Sequence, residues 1–183
     1  MSETKPIWLL DVDGVINALS HPESWPDSQE GIAHLSDGSF KICWSPELIE
    51  EIKLLSKFIE IRWLTTWGKL ANTALRPLVG LPDEFPVQAE PVYETGYGGG
   101  NYQYTTFDWK FIAAKEALKE GRPIIWTDDD AWTEDMKREI CAEADSKKIP
   151  ILMIRPQVLN GLSKNHISTI KEFTSFLIIY EGN

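Results

Sequence analysis

Four short apolar runs, each leading toward a helical or polar segment, constrain this chain more than any other feature. Residues 7–10 run into Asp11-Val12-Asp13-Gly14, residues 59–64 into Thr65-Thr66, and residues 123–127 into Asp128-Asp129-Asp130, while residues 149–154 form the fourth. Apolar runs this short are the mark of strands buried on both faces. Ser45-Pro46-Glu47 offers a capping hydroxyl, a proline for the first helical position and an acid near the positive helix end. Leu48, Ile49, Ile52, Leu55 and Ile59 then carry the helical spacing onward. The same reasoning predicts helices over 107–118, 133–144 and 163–176, and another starting after Trp67, with Pro77, Pro82 and Pro86 breaking up the segment that follows. Residues 32–35 and 40–44, on either side of Ser36-Asp37-Gly38-Ser39, read as a β-hairpin. Strand alternating with helix predicts an α/β fold, a doubly wound Rossmann-like parallel sheet with helices on both faces. With 183 residues and neither internal repeat nor linker, one domain over 1–183 is expected.

In a sheet of this kind ligands gather at the carboxyl ends of the strands. The residues that end the runs therefore form the candidate site: Asp11 and Asp13, Thr65 and Thr66, and Asp128, Asp129 and Asp130, with Lys110 near the start of the helix before the 123–127 strand. Asp11 and Asp13 put like charges on one face of a strand, which costs free energy unless something positive sits beside them. Carboxylates, a hydroxyl and a lysine at one rim are the components of phosphoryl transfer.

Composition narrows the partners. A net charge of −10, from 28 acidic and 18 basic residues, argues against holding long nucleic acid by its phosphates, while leaving room for an end or a single nucleotide. Cys43 and Cys141 have no second Cys or His at zinc spacing and suit free thiols in a reducing compartment. The polar start Met1-Ser2-Glu3-Thr4 carries no signal-peptide pattern, and no apolar run is long enough to predict a membrane span, so a cytoplasmic location is expected.

Taken in order, the words LLDVDGV, IRWLTTW, the single Lys110 and IIWTDDD resemble the four motifs of the haloacid dehalogenase-like (HAD) superfamily of phosphohydrolases. The Trp-flanked words LLDVDGVIN, RWLTTW and WTDDD, with Gly161-Leu162-Ser163 near the end, are similar more narrowly to the small HAD proteins that include the HAD domain of "Swiss army knife" RNA-repair proteins. The resemblance covers residues 7 to 155 and implies a phosphate monoester hydrolase with Mg²⁺ as cofactor. It implies Asp11 as the nucleophile, forming an aspartyl-phosphate, and Asp13 as the acid that protonates the departing oxygen and then the base for water. Thr65 would hydrogen-bond a phosphoryl oxygen, with Thr66 as the alternative, and Gly14 would let the backbone turn sharply beside the bound group. Lys110 would neutralise the phosphoryl charge and hold the nucleophile; Lys115, deeper in the helix, is the alternative. The implied Mg²⁺ ligands are the Asp11 carboxylate, the Asp13 backbone carbonyl and an acid from Asp128-Asp129-Asp130, Asp129 ahead of Asp128.

Each signal has a plainer reading. Asp-x-Asp-Gly also opens calcium loops, but the EF-hand glycine spacing and later Glu are missing. Asp128-Asp129-Asp130 would also serve as an acidic helix cap, and Thr65 and Lys110 taken singly are ordinary strand-end and surface residues. Gly98-Gly99-Gly100 lacks the Walker lysine and reads as a loop, whose neighbours Tyr97, Tyr102 and Tyr104 would cover the site or stack on a base. His21, His34 and His166 are scattered. In the HAD families, cap insertions govern substrate choice, and both cap intervals here look minimal, the first holding only the predicted hairpin. An open site suits a nucleic-acid end or phosphoprotein, whereas the acidic surface favours a small phosphometabolite or nucleotide. Three functions follow: a Mg²⁺-dependent phosphatase, an end-processing phosphatase on RNA or DNA termini in repair, and a non-catalytic binding module of the same fold.

Overall fold

The computed structural model describes residues 5–20, 25–35, 38–91 and 106–181. In chain order the elements are β1 (Ile7–Leu10), β2 (Gln29–Leu35), β3 (Gly38–Trp44), α1 (Pro46–Leu55), β4 (Glu60–Trp63), a π-helical turn (Ala71–Leu75) running into α2 (Arg76–Val79), α3 (Thr106–Leu118), β5 (Ile124–Thr127), α4 (Glu134–Ser146), β6 (Ile151–Ile154) and α5 (Lys164–Glu181). The four apolar runs make one parallel sheet in the order β4-β1-β5-β6, and β2 and β3 pair separately as an antiparallel hairpin. The fold is thus α/β, with helices on both faces of the sheet.

Every residue of β1 and β5 is buried, because each face of those strands meets a helix pair. Trp8, Leu10 and Ile125 pack with Ile49 and Ile52 of α1 and Ile167 and Ile170 of α5. Ile7, Leu9, Ile124 and Trp126 pack with Ala114 and Leu118 of α3 and Ile140 of α4. The two-residue period of a strand divides the chain's apolar residues between two half-cores in this way. Trp8 also hydrogen-bonds across the sheet, its indole N–H lying 2.9 Å from Thr127 Oγ1.

Helix α1 starts as its sequence signals require. Ser45 Oγ accepts from the Leu48 N–H, and Asp27 accepts from both the Ser45 hydroxyl and the Glu47 N–H at 2.7 Å each. The hairpin begins at Gln29, three residues before the apolar pattern suggests, because its first residues face solvent while Ala33, Ile42 and Trp44 face the core. After Trp67 the chain turns through the π-helical segment straight into α2, with Pro77 in the first turn of α2 and the Asn72 carbonyl accepting from Arg76 Nε at 3.1 Å. Pro77 does not break the segment; Gly80, in the left-handed region at φ +85°, ends the helix instead. Beyond it, Val87 lies alongside Trp63 through Trp63 N–H to Pro86 O and Gln88 N–H to Trp63 O, both 2.8 Å, covering the outer edge of β4. Ser36, Asp37, His21, the glycines 96–100 and Tyr97, Tyr102 and Tyr104 fall outside the described residues. No described helix is long and apolar enough to cross a membrane.

At the start of α5, Ser163 Oγ accepts from the His166 N–H while the Ser163 N–H donates to His166 Nδ1, a reciprocal cap in which the imidazole must be neutral to accept. Burial holds His166 below its ordinary value of 6.5. The unfolded chain therefore binds this proton more readily, so the cap's contribution is complete above pH 6.5 and is lost as pH falls through the lower folded value. Chemical denaturation from pH 8 down to 5 should show this loss in the native chain and not in His166→Gln, which keeps the acceptor without titrating.

Candidate functional site

Leu10 lies opposite Trp63 on one side and Thr127 on the other, so Asp11, Leu64 and Asp128 leave the sheet at the same level. The period that sends Ile7 and Leu9 toward α3 sends Asp11 there as well, and it does the same for Asp128 after Ile124 and Trp126. Two carboxylates thus meet on the face that α3 covers. Lys110 of that helix comes down on them, its Nζ 2.9 Å from Asp11 Oδ2 and 2.7 Å from Asp128 Oδ2. The exposures are 2% for Lys110, 4% for Asp11 and 0% for Asp128, so the triad is dry.

Backbone and side-chain donors hold the rest of the cluster. Asp128 Oδ1 accepts from the N–H groups of Asp130 and Ala131 at 3.1 and 2.9 Å, which engages both of its oxygens. The buried Thr65 hydroxyl donates to the Asp11 carboxylate and accepts from the Trp67 N–H at 3.3 Å. Gly14 turns the chain at φ +67°, and a Cβ there would stand 2.4 Å from Asp129 Cγ, so only glycine leaves room for that carboxylate beside the loop. Asp13 faces other donors, its Oδ1 2.7 Å from Asn17 Nδ2 and its Oδ2 2.8 Å from Trp67 Nε1.

The charges do not balance within the protein. Burial pushes the Asp11 carboxyl above its ordinary value and Lys110 pulls it only part of the way back. Asp128 is pushed well above that range, first by burial and then by the charge of Asp11. Burial opposes the Lys110 ammonium, but the two carboxylates outweigh it and hold the lysine protonated above its ordinary value. Asp129, half-buried, is pushed up to about 6 by burial and by the charges of Asp130 and Asp11. One lysine therefore serves three carboxylates, the arrangement expected where a cation completes the site. Oxygens of Asp11, Asp128 and Asp129 lie within 4.8 Å of one another, a hard-donor set of the kind a small divalent cation takes.

Of the residues singled out in the sequence, Asp11, Thr65, Lys110, Asp128, Asp129 and Gly14 come together, and Asp13 is joined to them through Trp67. Thr66 follows Thr65 on the turn and is half-buried. Asp130 is exposed, and Lys115 turns to α4, where it pairs with Glu139 at 2.6 Å and Glu143 at 3.1 Å. Asn17 and the Trp67 indole escape a reading by motif. Their only signals are the four-residue spacing from Asp13 and the position two after Thr65.

No family model, no curated protein and no solved structure matches this chain.

Removing the lysine leaves two carboxylates buried face to face. Lys110→Met should lower the unfolding free energy by about 3–5 kcal/mol in urea titrations, and adding Asp128→Asn should restore part of that loss.

Proposed function

We propose that this chain is a Mg²⁺-dependent phosphomonoesterase of the HAD type, working through an aspartyl-phosphate on Asp11. The observation that carries this reading is the dry Asp11–Lys110–Asp128 triad at the carboxyl ends of adjacent parallel strands, with Asp129 completing a three-carboxylate set within 4.8 Å. The order of the four motif words along the chain and the parallel α/β sheet beneath them support it.

The donor set fits Mg²⁺, since it is all oxygen and carries more negative charge than Lys110 offsets. Asp11 and Asp129 would hold the ion, together with the Asp13 carbonyl. Asp128 has both oxygens engaged by Lys110 and backbone N–H groups and serves better to hold the lysine. When bound, the ion offsets the charge of the phosphoryl oxygens and lets a dianion approach an acidic rim.

The protein's own groups divide the chemistry between them. Lys110 and the Thr65 hydroxyl fix the Asp11 carboxylate as the nucleophile and stand beside the point where phosphoryl oxygens would lie. An Asp11 oxygen forms the bond to phosphorus as the ester P–O bond breaks, and protonated Asp13 gives its proton to the departing alkoxide, which leaves as an alcohol. Water then attacks the aspartyl-phosphate, Asp13 takes its proton, and inorganic phosphate departs with Asp11 restored. Dehalogenation is a poorer fit, because a halide leaves without needing Asp13's proton.

Hydrolysis of p-nitrophenyl phosphate should require Mg²⁺ and fall to background in Asp11→Asn, and hydrolysis of an alkyl phosphate such as glycerol 2-phosphate should drop about 100- to 10,000-fold in Asp13→Asn. Mg²⁺ should raise the melting temperature of the native chain and not that of Asp129→Asn. A folded native protein that neither binds Mg²⁺ nor turns over a phosphate ester would leave the binding-module reading in its place.

A further inference from the structure

Asp13 is held differently from every other acid at the rim. Each carboxylate oxygen accepts one side-chain N–H, Asn17 Nδ2 at 2.7 Å and Trp67 Nε1 at 2.8 Å, from residues 4 and 54 positions further along the chain. Asn17 is itself fixed. Its Oδ1 accepts from the Cys43 N–H of β3 at 2.8 Å, its N–H donates to Val12 O at 2.8 Å, and its carbonyl accepts from Gly14 N–H at 2.9 Å. Trp67 is fixed as well, being 8% exposed, with the Phe40 ring of β3 edge-on to its indole at 5.6 Å. Both donors thus rest on the hairpin, and the hairpin packs its inner face on the sheet core.

We infer that Asn17 and Trp67 are positioning residues for Asp13, a two-sided clamp through which the β2–β3 hairpin sets the direction of the acid's proton transfer. The inference rests on the phosphatase reading, in which Asp13 serves the leaving group. A carboxyl on a loop beyond a strand end has two free side-chain torsions, and proton transfer demands an approach within hydrogen-bond reach. Hydrogen bonds to both oxygens remove that freedom before substrate arrives. The hairpin, which stands outside the sheet, then acts as a brace for the acid as well as a rim for the substrate.

The effect of the clamp should depend on the leaving group. p-Nitrophenolate departs without a proton, whereas the alkoxide of glycerol phosphate needs one, so misplacement of Asp13 harms the second substrate selectively. Trp67→Phe keeps the ring packing with Phe40 and deletes only the N–H; Asn17→Ala deletes the other donor. In single-turnover transfer of the phosphoryl group to Asp11, before the water step common to both substrates, each should slow glycerol 2-phosphate about tenfold more than p-nitrophenyl phosphate, with binding of both little changed. The indole N–H resonance of Trp67 should also move in Asp13→Ala, a readout that needs no turnover. Equal losses in that transfer step for the two substrates in folded Trp67→Phe, or an indole resonance indifferent to Asp13→Ala, would overturn the clamp while leaving the phosphatase standing. A native protein inactive on both substrates would instead remove the phosphatase reading, and the clamp's catalytic role with it.

Discussion

The contact on which the site depends is the ammonium of Lys110 lodged between two buried carboxylates. Removing three ionised groups from water is costly, and their mutual attraction returns that cost only in close, well-bonded geometry. Here the geometry is supplied in advance. The register of β1 on β5 sets Asp11 beside Asp128, and a single helix over that face delivers the lysine to both. Thr65 and the N–H groups of Asp130 and Ala131 satisfy further lone pairs, so the cluster is rigid before anything binds. Such a cluster is weak support for stability and strong support for a site, since an apolar trio would fill the same space at less cost.

Around that triad the acids have separate environments. Asp128 is saturated by the protein, Asp129 is half-open and short of a counter-charge, and Asp13 is gripped by two neutral donors away from the lysine. On the proposed reading, these chemically similar side chains would take different parts, one structural, one metal-holding and one transferring protons. The division comes from where each strand end points and from what the hairpin brings near.

Much of this was legible from the residue pattern. The strands at 7–10 and 123–127 were visible because a strand buried on both faces needs an unbroken apolar run, the edge strands at 59–64 and 149–154 because apolar residues still dominate them, and helix α1 because Ser45, Pro46 and Glu47 suit the free N–H groups at its start. A helical segment does follow Trp67, from Ala71 to Val79. A proline reads as a breaker by its missing N–H, and only the structure shows that Pro77 is carried at the junction of the π-helical turn and α2. The hairpin's extension to Gln29 was likewise hidden, since exposed strand residues leave no apolar signal. At the site, Asn17 and Trp67 were missed for a related reason. Their contacts to Asp13 cross 4 and 54 positions, and an indole beside a motif looks the same whether it packs or donates.

By itself the sequence determined which residues end the strands, and therefore that carboxylates, hydroxyls and a lysine would collect at one rim of a parallel sheet. That follows from local physics: apolar runs of strand length, helix caps and the two-residue alternation of side chains. It left open which acids meet the lysine, which stays half-open and which is gripped from the hairpin. Those were decided by tertiary structure, because they depend on strand order, on register and on the helix laid over each face. All three are set by packing between segments far apart in the chain, as with Lys110 and Asp11, whose separation is 99, or Trp8 and Thr127, whose separation is 119.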